Sequence, residues 1–353
     1  MSVNIPWASK DDSSDLDGLV WSDDFAVRLQ CKAGRIRQSS RRGAPRSLET
    51  DIRKLITDAS NQHIALYAAL VEQSATEIGF TPEQGEALAA TIQFEVIVCL
   101  DEVTVWATES RRLQDAGHLP SERVPIWVVS LSDLMAVTDL LQGAQLVQYL
   151  LRRRRLELDG RITTHDELDW VGNYISQGLY FGDFTNGNKE YDVIFLSSFT
   201  DEIDAWYNSE LGLLNESVPK PSQPIPVALE RLIGTLSRQR PKHWIIASVG
   251  LLDGSSGFRE KWNHSIPMVE QRAISRGASN VSLISDGRIG LSYYVDTSSS
   301  ASRAMTDAAG AAKAHIAKGD APNWVTICRG SNGDLLVTVI ESGDPPSIAD
   351  ALA

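Results

Sequence analysis

Short apolar runs alternate with longer amphipathic stretches along this chain. The runs DGLVW and FAVRLQCKAG are rich in β-branched and aromatic residues and flank the turn-forming SDD, so they predict a β-hairpin that turns at Asp23 and Asp24. Apolar residues recur at helical spacing from Leu48 to Val71, which predicts one long amphipathic helix. After Thr81, the string TPEQ provides an N-cap, a proline at the first helical position and a nearby acid, which predict a second helix.

The alternation continues through the rest of the chain. FEVIVCL, VTVWAT and VPIWVVSL are predicted strands, and Ser130 opens a predicted helix that continues to Arg155. Further on, the patterns predict a helix (ALERLIGTLSRQ), a strand (HWIIASVGLL), a hairpin (VSLISDGRIGLSYYVD) with a turn at Asp286-Gly287, an alanine-rich helix (301–317) and a final hairpin (WVTICRGSNGDLLVTVIES). Strands that alternate with helices are typical of α/β layer structures, so we predict an α/β protein.

The alternation of predicted strands and helices weakens in the middle of the chain, which divides the chain into three predicted parts. Residues 1–156 form the first predicted domain, residues 157–226 a helical or irregular connector that contains the spacer PKPSQPIP, and residues 227–353 a C-terminal α/β domain of unknown role. Four aromatic residues of the last part are candidates for either core positions or ligand contacts: Trp244, Trp262, Tyr293 and Tyr294.

The composition narrows the class of protein. At 353 residues and 42% hydrophobic, the chain is long enough for two or three domains and lies outside the composition range of disordered chains. No apolar run reaches the roughly 18 to 20 residues that cross a bilayer, and the acidic N-terminus does not resemble a signal peptide, so we expect a cytoplasmic protein without a membrane segment. Cys31, Cys99 and Cys328 are odd in number and far apart, which predicts buried free thiols.

A net charge of −13 disfavours general binding to nucleic acid, because non-specific affinity comes from cations that displace phosphate counterions. Any contact with DNA must therefore be local. The main basic patch is the loop after the hairpin, which contains Arg35, Arg37, Arg41, Arg42 and Arg46. The run Arg152–Arg155 is either a second basic patch or a solvated helix C-terminus that the helix dipole favours.

The predicted hairpin brings together groups suited to metal-dependent phosphodiester cleavage. A two-residue turn at the Asp-Asp pair places Asp17 opposite Gln30, with Cβ atoms about 4.5 to 5.5 Å apart. Lys32 follows Gln30 by two residues and therefore projects from the same face. Cleavage of this kind needs oxygens that hold Mg²⁺ or Mn²⁺ and a cation that positions the attacking water. A three-residue turn would shift the register by one and separate these groups.

The string Asp17-Gly18-Leu19, the hairpin, Gln30-Cys31-Lys32, the arginine-rich loop and a helix that bears Gln62 together resemble the PD-(D/E)XK, or restriction-endonuclease-like, nuclease superfamily over about residues 15–155. The resemblance implies a mixed sheet flanked by helices, followed here by a second, smaller α/β or α+β domain. It also implies that Asp17 and Gln30 hold metal, that Lys32 assists the water, and that Gln62 lies near the site.

The chain departs from the family pattern in two places. Gln30 stands where the family has an acid, and its amide oxygen ligates a hard cation without adding negative charge, so weak or absent activity is expected. The family core begins with a helix, but only sixteen residues precede Asp17, so we expect that helix to be missing or supplied by another chain. Asp11, Asp12 and Asp15 are either substitutes for the lost acid or part of a solvated acidic tail.

Two functional hypotheses follow. The first is a metal-dependent DNA endonuclease that acts in bacterial DNA processing or defence. The second is a catalytically inactive nuclease-like module that binds nucleic acid or assembles with a partner protein or a second copy. The sequence contains no GxGxxG, GxxxxGK[ST] or GxSxG motif, and its six histidines are dispersed, so dinucleotide, P-loop, hydrolase and paired-histidine metal sites have no support.

Overall fold

A computed structural model describes residues 1–103, 108, 110–120, 126–181, 194–253, 255–285 and 289–342. The chain divides into two compact units, one of residues 1–142 and 152–223 and the other of residues 143–151 and 224–353. The predicted boundaries near residues 156 and 226 stay predictions. Within the described residues, no helix combines the length and the apolar character that a membrane span requires.

The first unit is built on a mixed sheet of five strands in the order β1 to β5. The strands are β1 (Ser2–Ala8), β2 (Ser13–Ser22), β3 (Phe25–Lys32), β4 (Ile92–Cys99) and β5 (Trp127–Ser130). Strands β1 to β3 form an antiparallel meander, and β3, β4 and β5 are parallel. A mixed sheet with helical connections confirms the predicted α/β class.

Helices connect β3 to β4 and β4 to β5, and further helices follow β5. They are α1 (Gln38–Arg41), α2 (Pro45–Ile52), a π-helical turn (Arg53–Thr57), α3 (Asp58–Glu72), α4 (Pro82–Leu88), α5 (Ser110–Asp115), α6 (Leu131–Leu140), α7 (Ala144–Asp159), α8 (Glu167–Gln177) and α9 (Asp201–Glu210). A two-residue pair, β6 (Ile162–Thr163) with β7 (Ile194–Phe195), forms a small parallel sheet. Helix α7 has residues in both units.

The predicted hairpin is confirmed, including its register. Ser22 pairs with Phe25, so Asp23 and Asp24 form a two-residue turn, and Asp23 has the positive φ of 52° that such turns favour. The pairing continues to Gly18 opposite Leu29. The predicted helix from Leu48 to Val71 also forms, as α2, the π-helical turn and α3 in one continuous stretch.

The long helical stretch covers one face of the sheet and makes the core of the first unit. Leu55 and Ala59 pack with Ile97 and Cys99 of β4, while Leu66 packs among residues of β1 and β2. This packing fixes how α3 lies over β2 and β3, and therefore which of its side chains reach the end of the hairpin.

Several sequence predictions for the first unit were wrong or incomplete. Residues 2–8 form an edge strand, so the acids that follow do not belong to a tail. Asp11 and Asp12 lie in the tight turn to β2, where the Ser9 amide donates to the Asp12 carbonyl at 2.7 Å, and Asp15 lies in β2; all three residues are exposed. The helix predicted from Ser130 to Arg155 is two helices, because the chain turns at Gly143, whose φ is +56°. The predicted strand VTVWAT lies largely outside the described residues.

The second unit has a four-stranded sheet in the order β11-β10-β9-β8. Its elements are α10 (Val227–Gln239), α11 (Trp244–Leu252), α12 (Ser256–Arg276), β8 (Ala278–Ser285), β9 (Ile289–Asp296), α13 (Ala301–Ala317), β10 (Asn323–Arg329) and β11 (Leu335–Glu341). Strands β9 and β10 are parallel and α13 joins them, whereas β8 and β11 run antiparallel to their neighbours. Both predicted hairpins and the alanine-rich helix are confirmed.

One prediction for this unit was wrong. The run that includes Trp244–Leu252 was predicted as a strand, but it forms a helix in which every residue is buried. An apolar run of this length shows no periodicity when all its faces are covered, so a buried helix and a buried strand look alike in sequence. The turn Asp286-Gly287 lies outside the described residues, and Ser285 pairs with Ile289. Trp262 and Tyr293 are fully buried core residues.

Candidate functional site

The candidate site lies where β2 and β3 separate at the open end of the hairpin. Beyond the pair Gly18–Leu29, side chains replace the backbone ladder between the two strands. Asp17 Oδ2 accepts a hydrogen bond from the Cys31 amide at 2.6 Å, and Gln30 Nε2 donates to the Asp15 carbonyl at 2.8 Å. The side chains of Asp17 and Gln30 therefore both bridge the same two strands.

The hydrogen bond of Gln30 determines which end of its amide is available. Gln30 is only 2% exposed. Because a carbonyl oxygen can only accept, the NH₂ group of the Gln30 amide faces the Asp15 carbonyl. Within the described part of the chain, Gln30 Oε1 and Asp17 Oδ1 accept no hydrogen bond. The hydrogen bonds of the site therefore leave one oxygen of each side chain unengaged.

Lys32 is held by the helix that covers the hairpin. Its Nζ donates to Gln62 Oε1 at 2.6 Å, and Gln62 Nε2 donates to Ser14 Oγ at 3.2 Å. A polar chain thus runs from β2 through α3 to β3. Among the described residues, Asp17 and Lys32 make no ion pair within 4 Å, so the structure brings together Lys32 with Gln62, and Asp17 with the backbone of Cys31, but not Asp17 with Lys32.

The two charged residues nevertheless act on neighbouring thiols. Partial burial of the thiol and the Asp17 carboxylate raise the pKa of Cys31, although the residue as a whole is exposed, while the Lys32 ammonium opposes the rise. Burial raises the pKa of Cys99 to about 12, again against the effect of Lys32. Cys31 is exposed, which corrects the prediction that all cysteines are buried, whereas Cys99 and Cys328 are buried as predicted. All the cysteines are free thiols.

The arginine-rich loop follows directly after Lys32, and its arginines differ in their contacts. The prediction that it is all loop was wrong, because Arg41 ends α1 and Arg46 lies in the first turn of α2; we keep the name for residues 35–46. Arg37 pairs with Asp51 and Arg41 pairs with Asp101, both at 2.7 Å. The other predicted DNA contacts are exposed, and within the described residues their guanidinium groups make no ion pair or hydrogen bond: Arg35, Arg42 and Arg46. The loop therefore presents free positive charge from only part of the predicted set.

Three of the four arginines in the second basic run, Arg152 to Arg154, are held by acceptors inside the protein. Arg153 is 2% exposed and pairs with Glu157 at 2.6 Å and Glu167 at 2.8 Å. Arg152 is buried and donates to the Gly178 carbonyl, and Arg154 donates to the Gln93 carbonyl at 3.1 Å. Both interpretations made from the sequence, a basic patch and a solvated helix end, were wrong for these three side chains, because internal acceptors hold them.

Sequence reasoning missed Ser14, Asp51 and Asp101. A signal existed for Asp51, which follows Leu48 by three residues and therefore falls on the apolar face of the predicted helix, where an acid needs a partner. Ser14 and Asp101 carried no such signal, since each becomes a contact only through packing between distant segments. No family model, curated protein or solved structure matches the chain, so function must be inferred from these side chains.

Proposed function

We propose that the first unit is a nuclease-type module of the PD-(D/E)XK kind, which binds DNA and hydrolyses phosphodiester bonds slowly with Mg²⁺ or Mn²⁺. The mixed sheet supports this proposal, since Asp17 lies on one strand, Gln30 and Lys32 on the next, and Gln62 on the helix that follows. The observation that carries it is the open end of the hairpin, where free oxygens of Asp17 and Gln30 accompany a lysine fixed by Gln62.

The free oxygens fit a hard divalent cation, because Mg²⁺ and Mn²⁺ prefer oxygen ligands. Asp17 Oδ1 and Gln30 Oε1 would hold the ion, and a bound ion supplies charge that polarises the phosphodiester and activates water. Only one of these ligands is charged, so weak binding is expected. Lys32 holds its ammonium near the attacking water, and Gln62 keeps that ammonium in place.

The proposal is tested by incubating the purified protein with plasmid DNA across a range of Mg²⁺ and Mn²⁺ concentrations. We expect slow cutting that is stronger in Mn²⁺ and is lost in Asp17→Ala and in Lys32→Ala. Asp58→Asn, which removes an exposed carboxylate from the same helix as Gln62, serves as the control. Equal cutting by the wild type and both site variants would contradict the proposal.

A second candidate function is a catalytically inactive module that assembles with a protein partner. The observation that favours it is the Gln30 contact, because an amide suits the Asp15 carbonyl and a carboxylate does not. If this function is the correct one, Gln30→Glu fails to create cleavage and a partner chain co-purifies with the wild-type protein. A gain of cleavage in Gln30→Glu would instead favour the nuclease.

A further inference from the structure

The arginine-rich loop is fastened to the first unit by two carboxylates. The first is Asp51, in the last turn of α2, whose side chain is only 5% exposed. It accepts from the amide of Arg37 at 2.9 Å, from Nε of Arg37 at 2.7 Å and from Oγ of Ser40 at 2.5 Å. Burial alone would raise the pKa of Asp51, but the hydrogen bonds from Ser40 and Arg37 outweigh it and hold the pKa below its usual range.

The second carboxylate is Asp101, which lies just beyond the end of β4. It accepts from the Ile36 amide at 2.8 Å, and Arg41 donates to both its oxygens at 2.7 Å. Burial alone would raise the pKa of Asp101. The hydrogen bonds from the Ile36 amide and the Arg41 side chain outweigh this effect, so the pKa of Asp101 lies below its usual range. Both acids are therefore charged acceptors for the loop at neutral pH.

These contacts separate the loop arginines by role. Arg37 and Arg41 each form an ion pair with a carboxylate, which offsets the positive charge that the arginine would present to a ligand. Arg35, Arg42 and Arg46 flank those two in sequence and are exposed, and their guanidinium groups have no polar partner in the described part of the chain. The segment that bears them begins three residues after Lys32, beside the candidate site.

We infer that Asp51 and Asp101 are positioning residues, which clamp the loop so that Arg35, Arg42 and Arg46 bind the phosphate backbone of DNA. This inference rests on the proposed function and assigns the DNA contact to three named arginines. The contacts of Asp51 and Asp101 to the loop run through Arg37, Ser40, Ile36 and Arg41. Two opposite effects of removing either carboxylate then compete: a gain of net positive charge raises affinity for DNA, and a loosened loop lowers it.

The sign of the change in affinity separates the two effects. A short fluorescein-labelled DNA duplex is titrated with protein in EDTA, and anisotropy gives the dissociation constant at several salt concentrations. Asp51→Asn and Asp101→Asn each remove one negative charge from beside the loop. The matched control is Glu49→Gln, which removes the same charge from an exposed residue of α2 whose partner, Arg53, is 3.5 Å away and outside the loop.

We expect Asp51→Asn and Asp101→Asn to weaken binding by about fivefold, which is the effect of losing one net hydrogen bond. Glu49→Gln should bind as tightly as the wild type or slightly more tightly. Arg42→Ala should reduce the slope of log affinity against log salt by about 0.9, as for one lost phosphate contact. Asp101 is partly exposed, so its variant stays informative if Asp51→Asn unfolds.

If both carboxylate variants bind as tightly as Glu49→Gln or more tightly, the positioning role is overturned. Failure of the proposed function has a different signature. If the wild type binds DNA with the expected salt dependence but never cleaves it, the nuclease proposal fails while the positioning role is decided by the variants. If the wild type does not bind DNA, both are overturned.

Discussion

Lys32 of β3 donates a hydrogen bond of 2.6 Å to Oε1 of Gln62, which lies thirty residues later in the sequence, on helix α3. The contact closes a polar chain that continues from Gln62 to Ser14 on the neighbouring strand. Because the helix is anchored in the core by Leu66 and Ala59, Gln62 restricts the lysine to one orientation. A flexible side chain is thereby converted into a fixed positive charge at the open end of the hairpin.

This contact predicts measurable coupling between the two residues. In a double-mutant cycle of Lys32→Met and Gln62→Leu, followed by urea unfolding, we expect a coupling free energy of about 1 kcal/mol, since hydrogen bonds to charged groups are stronger than neutral ones. Asn61→Leu, at the exposed neighbouring position, should show no coupling with Lys32→Met. Additive effects of Lys32→Met and Gln62→Leu would show that the two side chains do not interact in solution.

The hairpin and its polar face were predictable because they depend on local rules. A two-residue turn fixes the register, and the register fixes which side chains share a face. The position of Gln62 was implied only by the family resemblance. The orientation of the Gln30 amide was not predictable at all, because it depends on the Asp15 carbonyl, which reaches it only where the strands separate.

Other features depended on tertiary packing and were missed for that reason. Four consecutive arginines look like a surface in sequence, yet Arg153 is buried and pairs with Glu157 of its own helix and with Glu167 of α8. The helix Trp244–Leu252 has no polar face and so no helical period. The edge strand at residues 2–8 contains Asn4 and Pro6, and both residue types weaken the strand signal in a sequence.

Gln30→Glu tests whether the hairpin end is built for an amide. The substitution removes the donor to the Asp15 carbonyl and puts carboxylate oxygen in its place, in a residue that is only 2% exposed. We expect a loss of unfolding free energy of about 1 to 3 kcal/mol at pH 7 in the absence of metal, measured by urea unfolding. Millimolar Mn²⁺ should restore part of it, since a cation pairs with the new charge.

The pH dependence of this variant has a definite sign. Burial raises the pKa of the introduced carboxyl above its unfolded value of about 4.3, so the destabilisation is absent at lower pH and grows as pH rises through the folded pKa. Gln38→Glu, an exposed glutamine of the arginine loop, makes the same charge change without burial and should show neither effect. A Gln30→Glu protein as stable as the wild type at pH 7 would contradict the assigned amide orientation.

Arg153→Met should be among the most destabilising single substitutions in the first unit. It leaves Glu157 and Glu167 buried without their shared cation, and removing one partner of a buried ion pair costs about 3 to 5 kcal/mol. Replacing all three residues with methionine should recover most of that loss, because no buried charge then remains. Lys54→Met, at an exposed position of the π-helical turn, should change stability by no more than about 0.5 kcal/mol. Thermal and urea unfolding of the three proteins measure these differences.

We expect Asp133, in the first turn of α6, to make a contribution to the free energy of unfolding that depends on pH. Burial raises its pKa to about 6, with a hydrogen bond to Ser130 opposing the rise and the carboxylates of Glu102 and Asp166 adding to it. Since the folded pKa exceeds the unfolded value of about 3.9, the folded protein holds this proton more tightly. The stabilising contribution is therefore complete below about pH 4 and is lost as pH rises through about 6.

Asp133→Asn removes this dependence. Relative to the wild type, the variant should gain unfolding free energy between pH 4 and pH 7, by about 1 kcal/mol once solvent screening of the partly exposed side chain is included. Urea unfolding at a series of pH values measures the difference, and Asp58→Asn, at an exposed position of α3, serves as the reference for a general change in charge. Curves for wild type and Asp133→Asn that stay parallel across this range would show that Asp133 titrates at the same pH in the folded and unfolded protein.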